Sequence, residues 1–250
     1  MTMLLLIDAG NTRIKWALVD PQQPAQWTAS ASGAVPHAGL IALAATWQHS
    51  GVSAAVVANV AGAALQAQLA SLLQDVLGVT PHWFVSRAEC AGLRNGYRDP
   101  AQLGCDRFAA MIGARTRYPA QALLVVSCGT ATTIDAVSAA GDFIGGMILP
   151  GLDMMRTALA RNTAQLPQVA DDVALAPLFA DQTDAAIVSG CIAAQTGAIE
   201  RALAAHAGAR CILSGGAASR IAAALSVPTV LIDHLVLHGL QAAYGASSSC

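Results

Sequence analysis

Leu4-Leu5-Leu6-Ile7-Asp8-Ala9-Gly10-Asn11-Thr12 stands near the start of the chain, and Leu123-Leu124-Val125-Val126-Ser127-Cys128-Gly129-Thr130-Ala131-Thr132-Thr133 restates it at mid-chain. In each, a run of four aliphatic residues leads into a Gly with hydroxyl side chains beside it. A short apolar run bounded by turn residues reads as a buried strand. The Gly, lacking a Cβ, lets backbone N–H groups close on an anion, and the Thr hydroxyls add donors. Two such turns facing each other across a cleft grip a polyphosphate from both sides. The pair therefore predicts a two-lobed phosphotransferase.

Outward from the first turn, Ile14, Trp16 and Leu18 alternate with polar or small residues as far as Asp20-Pro21. That period of two makes the turn an antiparallel hairpin, not the strand-to-helix turn of a P-loop, and the Walker spacing is absent. Pro21 to Pro24 ends the hairpin. A helix is predicted over 38–49, a strand over 54–60, a helix over 62–77 and a strand over 82–85. Alternating strands and helices behind a leading hairpin argue for an α/β lobe of the ribonuclease-H-like kind. Residues 86–103 form a polar loop rich in Gly, Arg, Asn and Pro, a length at which loops of compact domains tend to be functional. A helix then runs from Asp106 to about Arg115.

From Ala120 the pattern begins again, with strands over 122–127, 132–137 and 143–149, the last ending at Pro150-Gly151. Helices follow over 151–161 and 183–206, then a strand at 211–214 leading to Gly215-Gly216, a helix near 217–225, a strand over 230–232 and a last helix from about His234. Ser247 to Ser249 read as a frayed terminus. Two lobes are expected: residues 1–118, with the first phosphate hairpin and the acceptor site, and 119–250, with the second hairpin and the adenosine site.

Composition narrows the function. The chain of 250 residues is 55% hydrophobic and 11% charged with a net charge of -2, so it has no basic surface to hold a nucleic-acid backbone. No uninterrupted apolar run reaches the ~18 residues of a membrane span. Asp8 and Asn11 break the first apolar stretch and no basic segment precedes it, unlike a signal peptide. A soluble, cytoplasmic protein is expected. The cysteines at 90, 105, 128, 191, 211 and 250 form no C-x-x-C pair and no zinc spacing, and read as reduced fillers.

Asp8, at the end of a buried strand two residues before Gly10, is placed to hold Mg²⁺ or its waters near a transferring phosphate. Gly10 admits the phosphate, Asn11 and Thr12 offer side-chain donors, and Lys15, the only lysine among thirteen basic residues, brings a cation. The same residues also suit a plain tight hairpin. Thr130 and its neighbours repeat the donor set, and Gly145-Gly146 with Pro150-Gly151 offer flat backbone for a nucleoside. Asp106 and Arg107, adjacent at a helix start with Tyr97 nearby, supply a base for an acceptor hydroxyl and a cation for its far end. An Asp favourable to the helix dipole beside a solvated Arg is the alternative.

With these residues in hand, the chain resembles the type III pantothenate kinases of the acetate and sugar kinase, Hsp70 and actin superfamily. The likeness rests on Asp8-x-Gly10-Asn11-Thr12-x-x-Lys15, Tyr97-x-x-Pro100-x-x-Leu103-Gly104-x-Asp106-Arg107, Gly129-Thr130-Ala131-Thr132-Thr133-x-Asp135, Gly145-Gly146-x-Ile148-x-Pro150-Gly151 and Asn162-Thr163-Ala164-x-Leu166-Pro167. It implies an actin-like ATPase fold of two ribonuclease-H-like lobes with a nucleotide cleft between them. The implied reaction is ATP- and Mg²⁺-dependent phosphorylation of pantothenate, the first step of coenzyme A synthesis, in a homodimer. Carried over by motif, Asp8, Ala9, Gly10, Asn11, Thr12, Arg13, Ile14, Lys15 and Thr130 hold ATP, and Asp106 is the general base. Tyr97, Gly104, Cys105, Asp106, Arg107 and Thr183 contact pantothenate.

The family pattern has an acidic residue two places before the Gly of the second turn, bound to a monovalent cation (K⁺ or NH₄⁺). Ser127 stands there, with one neutral oxygen, so weaker or differently sited activation is expected. Two other functions compete: a nucleotide-binding regulatory accessory protein, and a kinase of another small alcohol or acid. The base in Asp106 argues against the first, and the Tyr97-to-Arg107 stretch against the second.

Overall fold

β1 (Met3–Ala9) turns at Gly10–Thr12 into antiparallel β2 (Arg13–Val19), which pairs with antiparallel β3 (Ala29–Pro36). A single 3₁₀ turn and α1 (Leu40–Gln48) lead to β4 (Val52–Asn59), parallel to β1, and α2 (Ala63–Leu77) leads to β5 (His82–Phe84), parallel to β4. The strand order is β3-β2-β1-β4-β5. The computed structural model describes residues 2–23, 27, 29–170 and 177–246; Pro24 and Ser247 to Ser249 lie outside them.

Side-chain alternation builds a core on one face of this sheet. Leu5, Ile7 and Ala9 of β1 and Ile14, Trp16 and Leu18 of β2 point to one face, against Leu40, Leu43 and Trp47 of α1 and Leu65, Leu69 and Leu73 of α2. The α2 positions recur every four residues, the stripe of an amphipathic helix. That helix stops where Gly78 adopts φ 65° and its N–H bonds the Gln74 carbonyl at 3.0 Å. Residues of the opposite parity, Asp8 and Lys15 among them, take the other face.

β3 was not legible in Ala29-Ser-Ala-Ser-Gly-Ala-Val-Pro36, which lacks large apolar residues. It pairs because the hairpin offers it an edge, and because Gly33 leaves room for Trp16: a Cβ there would lie 3.0 Å from the indole Nε1.

Within 86–103, β6 (Glu89–Cys90) and β7 (Leu93–Asn95) form a small hairpin, and α3 (Cys105–Arg117) follows. β8 (Leu123–Cys128), β9 (Ala131–Val137) and β10 (Asp142–Pro150) then restate the opening meander, followed by α4 (Leu152–Asn162), α5 (Thr183–Ala205), β11 (Arg210–Ser214), α6 (Ala218–Ala222), β12 (Thr229–Leu231) and α7 (Leu235–Gly245). Read as β10-β9-β8-β11-β12, this order copies that of the first sheet. Its core joins Leu124, Val126 and Cys128 to Ile187, Val188 and Ile192 of α5.

The chain divides into two compact units, one of residues 1–121, 138–144 and 234–250, the other of 122–137 and 145–233. The sequence placed everything after residue 118 in the second lobe. The difference lies chiefly in α7, which packs on α3 at two glycines. A Cβ on Gly239 would run into the Ala109 backbone, and one on Gly113 would press on the Leu235 carbonyl and the Gly239 amide. Gly239→Ala is expected to cost about 1–3 kcal/mol of stability through that overpacking. An unchanged urea midpoint would show that the helices do not meet there.

Cys105, Cys128, Cys191 and Cys211 carry free thiols. Cys90 is disulfide-bonded, which corrects the reading of all six as reduced. No helix among the described residues is long and apolar enough to cross a membrane.

Candidate active site

In the first unit, the candidate side chains gather at the carboxyl ends of β1 and β4, where ligands of parallel-sheet folds bind. Asp8 lies opposite Lys15 across the hairpin, and Ala9 lies beside Asn59 at the end of β4. The amino end of α3 comes to the same edge: the Cys105 thiol donates to the Asn59 carbonyl at 3.6 Å. Asn59 was not singled out from the sequence. It makes the turn after β4, its Oδ1 accepting from Ala61 N at 3.0 Å and its Nδ2 donating to the Gly62 carbonyl at 3.0 Å.

Asp8 is 7% exposed, and its carboxyl is pushed up to about 6. Burial is the main cause; Lys15 pulls the other way, and the charge of Asp106 adds to the rise. The two carboxylates therefore feel each other within one site. Asp106 accepts a hydrogen bond from its neighbour Arg107 N at 2.8 Å. A Cβ on Gly104 would stand 2.7 Å from Asp106 Oδ1, so the glycine leaves the carboxylate its place. The Cys105 thiol is pushed up to about 11 by burial and then by Asp106, which leaves it protonated and a poor nucleophile.

The loop before α3 is organised by Asn95. Its Nδ2 donates to the carbonyls of Arg87 and Pro100, each at 3.1 Å, and its Oδ1 accepts from Tyr97 N at 3.1 Å. Tyr97 packs on buried Phe143, ring centroids 5.2 Å apart. Arg107, 6% exposed, donates to the Tyr97 hydroxyl at 3.0 Å and lies over both rings, 5.7 and 5.9 Å from their centroids. The alternative of a solvated surface Arg is thereby set aside. Phe143 had no motif to mark it; only its place at the start of β10, paired with Asn95, brings it here.

Asn11, Thr12 and Arg13 are exposed at the turn, whereas the side chains of Ala9 and Ile14 are fully buried, leaving only their backbone for a ligand. In the second unit, Thr130 is exposed at its own turn, where Gly129 N donates to the Ala131 carbonyl at 3.0 Å. Gly151 N donates to the Thr130 carbonyl at 2.9 Å, so Pro150-Gly151 braces that turn. Gly215, at φ 106°, lies against the Cys128 backbone from another side. Leu213-Ser214-Gly215-Gly216 is a third strand ending in glycine, a signal the sequence carried and the site reading passed over. Thr183 opens α5 with an exposed side chain.

The family described as type III pantothenate kinase matches residues 4–205. The type III pantothenate kinase of Janthinobacterium sp. (strain Marseille) is 53% identical over 252 residues, covering 96% of each chain. That of Aromatoleum aromaticum is 50% identical over 242 residues, covering 95% of this chain and 96% of its own.

Among solved structures, a Baf family protein of Campylobacter jejuni, titled a transcriptional activator, superposes with a TM-score of 0.61 at 20% identity over 95% of each chain. The activator of 2-hydroxyisocaproyl-CoA dehydratase from Clostridium difficile, solved with ADPNP, superposes at 0.54 and 13% identity over 98% of this chain and 94% of its own. At such identities the likeness bears on fold alone, which is that of the actin-like ATPases and sugar kinases. Matched over most of its length and half-identical to these enzymes, the chain belongs to the type III pantothenate kinase family.

Proposed function

We propose that this protein transfers the γ-phosphoryl group of ATP to the primary hydroxyl of pantothenate, the first step of coenzyme A synthesis, as a cytoplasmic homodimer. The observation that carries the reading is the meeting of Asp8, Lys15 and Asp106 at one strand edge, with Arg107 and Tyr97 on the same helix start and loop. Asp106 takes the hydroxyl proton as the alcohol oxygen attacks the γ-phosphorus and the bond to the ADP oxygen breaks. Lys15, Thr12 and the backbone N–H groups of the Gly10 turn take up charge on the phosphoryl oxygens. Arg107 and Tyr97 hold the acceptor, with Gly104, Cys105 and Thr183 assigned to it on the family motif. Thr130 is assigned to ATP on the same ground.

Mg²⁺ suits Asp8. Its carboxylate is buried and starved of water, and a divalent cation would relieve that cost. No cluster of three or more metal-ligating side chains occurs among the described residues, which fits an ion held by one carboxylate and the substrate's own phosphates. When bound, Mg²⁺ supplies charge neutralisation at the transferring phosphoryl.

A monovalent cation fits less well. Ser127 pairs across the strands with Thr133, whose Oγ1 is buried without a hydrogen-bond partner among the described residues; both offer neutral oxygens. Replacing Na⁺ by K⁺ or NH₄⁺ is expected to change turnover by less than about threefold, since a single carboxylate charge is missing. Steep K⁺ activation that Ser127→Ala abolishes would contradict this.

A coupled assay of ADP release with pantothenate and a panel of other small alcohols and acids tests the function. Turnover on pantothenate alone is expected. Turnover on another acceptor would reassign the substrate, and silence on all of them with ATP still bound would favour a regulatory nucleotide-binding protein.

A further inference from the structure

His37 follows directly on β3, whose last residue, Pro36, pairs with Arg13 at the start of β2. The register thus sets the imidazole beside the first hairpin turn, and its Nε2 lies 2.8 Å from the Gly10 carbonyl oxygen. A carbonyl only accepts, so Nε2 carries the proton and His37 is the donor. Gly10 N is also held, donating to the Arg13 carbonyl at 3.1 Å. Both sides of Gly10 are therefore tied down.

The Gly10 carbonyl belongs to the same planar peptide group as the Asn11 N–H. In a trans peptide these two bonds point in opposite directions. Holding the carbonyl toward His37 turns the Asn11 N–H away from the ring. Asn11 is exposed, and its N–H has no backbone partner among the described residues. A glycine peptide rotates more freely than any other, so without a restraint this plane can flip and present a carbonyl where an anion needs a donor.

We propose that His37 is a positioning residue for phosphoryl transfer: it locks the Gly10–Asn11 peptide so that the Asn11 N–H stays presented to the polyphosphate of ATP. The inference rests on the reading of this hairpin as the ATP site. It assigns His37 no contact with substrate and no proton transfer.

The test compares wild type, His37→Ala and His37→Gln. The Gln side-chain amide restores a donor near the position of Nε2. With His37→Ala, the KM for ATP and the Kd for a non-hydrolysable ATP analogue are expected to rise about tenfold, as for loss of one net hydrogen bond. The KM for pantothenate and the thermal midpoint are expected to stay near wild type, and His37→Gln is expected to recover most of the ATP affinity.

Unchanged ATP affinity in His37→Ala would overturn the proposal. So would a general loss, with both substrates and thermal stability affected and no rescue by Gln, which would mark a merely structural residue. If His37→Ala does not fold, long-range ¹H–¹⁵N spectra of the wild type decide: a ring protonated at Nε2 is expected, and the neutral Nδ1-protonated tautomer overturns the proposal. A wild type that binds no ATP analogue would overturn the ATP reading of the hairpin itself. A wild type that binds it, beside an equally competent His37→Ala, would overturn the His37 inference alone.

Discussion

Asp106→Asn is expected to lower kcat by about 10²- to 10⁴-fold while leaving the fold and ATP affinity close to wild type. Asn keeps the shape of the side chain and can still accept from Arg107 N, as Asp106 does at 2.8 Å, so the start of α3 is not disturbed. What it removes, on the proposed mechanism, is a site for the acceptor's proton. It also removes a negative charge that adds to the rise in Asp8. The Asp8 carboxyl should then titrate lower, a second readout independent of turnover and accessible by ¹³C NMR. Near-full turnover in a folded Asp106→Asn protein would end the assignment of Asp106 as the base.

Asp8→Asn separates stability from function. Burial raises the folded-state carboxyl from 3.8 to about 6, so the folded protein binds the Asp8 proton more tightly than the unfolded chain does. The sign follows from that. Between pH 4 and 6 stability falls as pH rises, and above about pH 6 the folded state carries the full cost of a buried charge, on the order of 2–3 kcal/mol. Removing the charge should raise the urea midpoint at pH 8 in the absence of nucleotide and Mg²⁺, the gain being trimmed by the partners a buried amide still needs. Below about pH 4 the advantage should vanish, because Asp8 is then protonated in both states. Turnover should drop by about 10²-fold or more, because phosphoryl transfer loses the carboxylate that would hold the metal. An Asp8→Asn protein less stable than wild type at pH 8 would show that the carboxylate is well solvated or well paired, contrary to its burial.

Much of this site was legible in the sequence because period two is a strong constraint. Once Ile14, Trp16 and Leu18 are assigned to the core, Lys15 must take the opposite face, and an antiparallel turn at Gly10–Thr12 brings it across from Asp8. The repeat of the meander was readable in the same way, from two apolar runs ending in Gly and Thr. Other features were not readable, each for a physical reason. β3 is made of small residues and owes its pairing to the open edge of β2, so no local pattern announces it. The membership of α7 in the first unit depends on glycines at 113 and 239, which lie far apart in sequence and meet only in the folded protein. Phe143 beneath Tyr97 and His37 beside Gly10 depend on strand registers, and neither residue belongs to a recurring motif. Arg107 was visible as a candidate, but its burial was not: a charged side chain at a helix start is more often solvated than laid over a pair of packed aromatic rings.

The activity to be tested is phosphorylation of the primary hydroxyl of pantothenate. The most direct measurement is the phosphorus NMR spectrum of a reaction of the purified wild-type protein with ATP, Mg²⁺ and pantothenate. A new phosphomonoester signal is expected, coupled to the methylene protons of the former hydroxyl carbon, growing in step with ADP and absent when pantothenate is omitted. ADP formed with the γ-phosphoryl group released as free phosphate, or no consumption of ATP although the nucleotide binds, would contradict it.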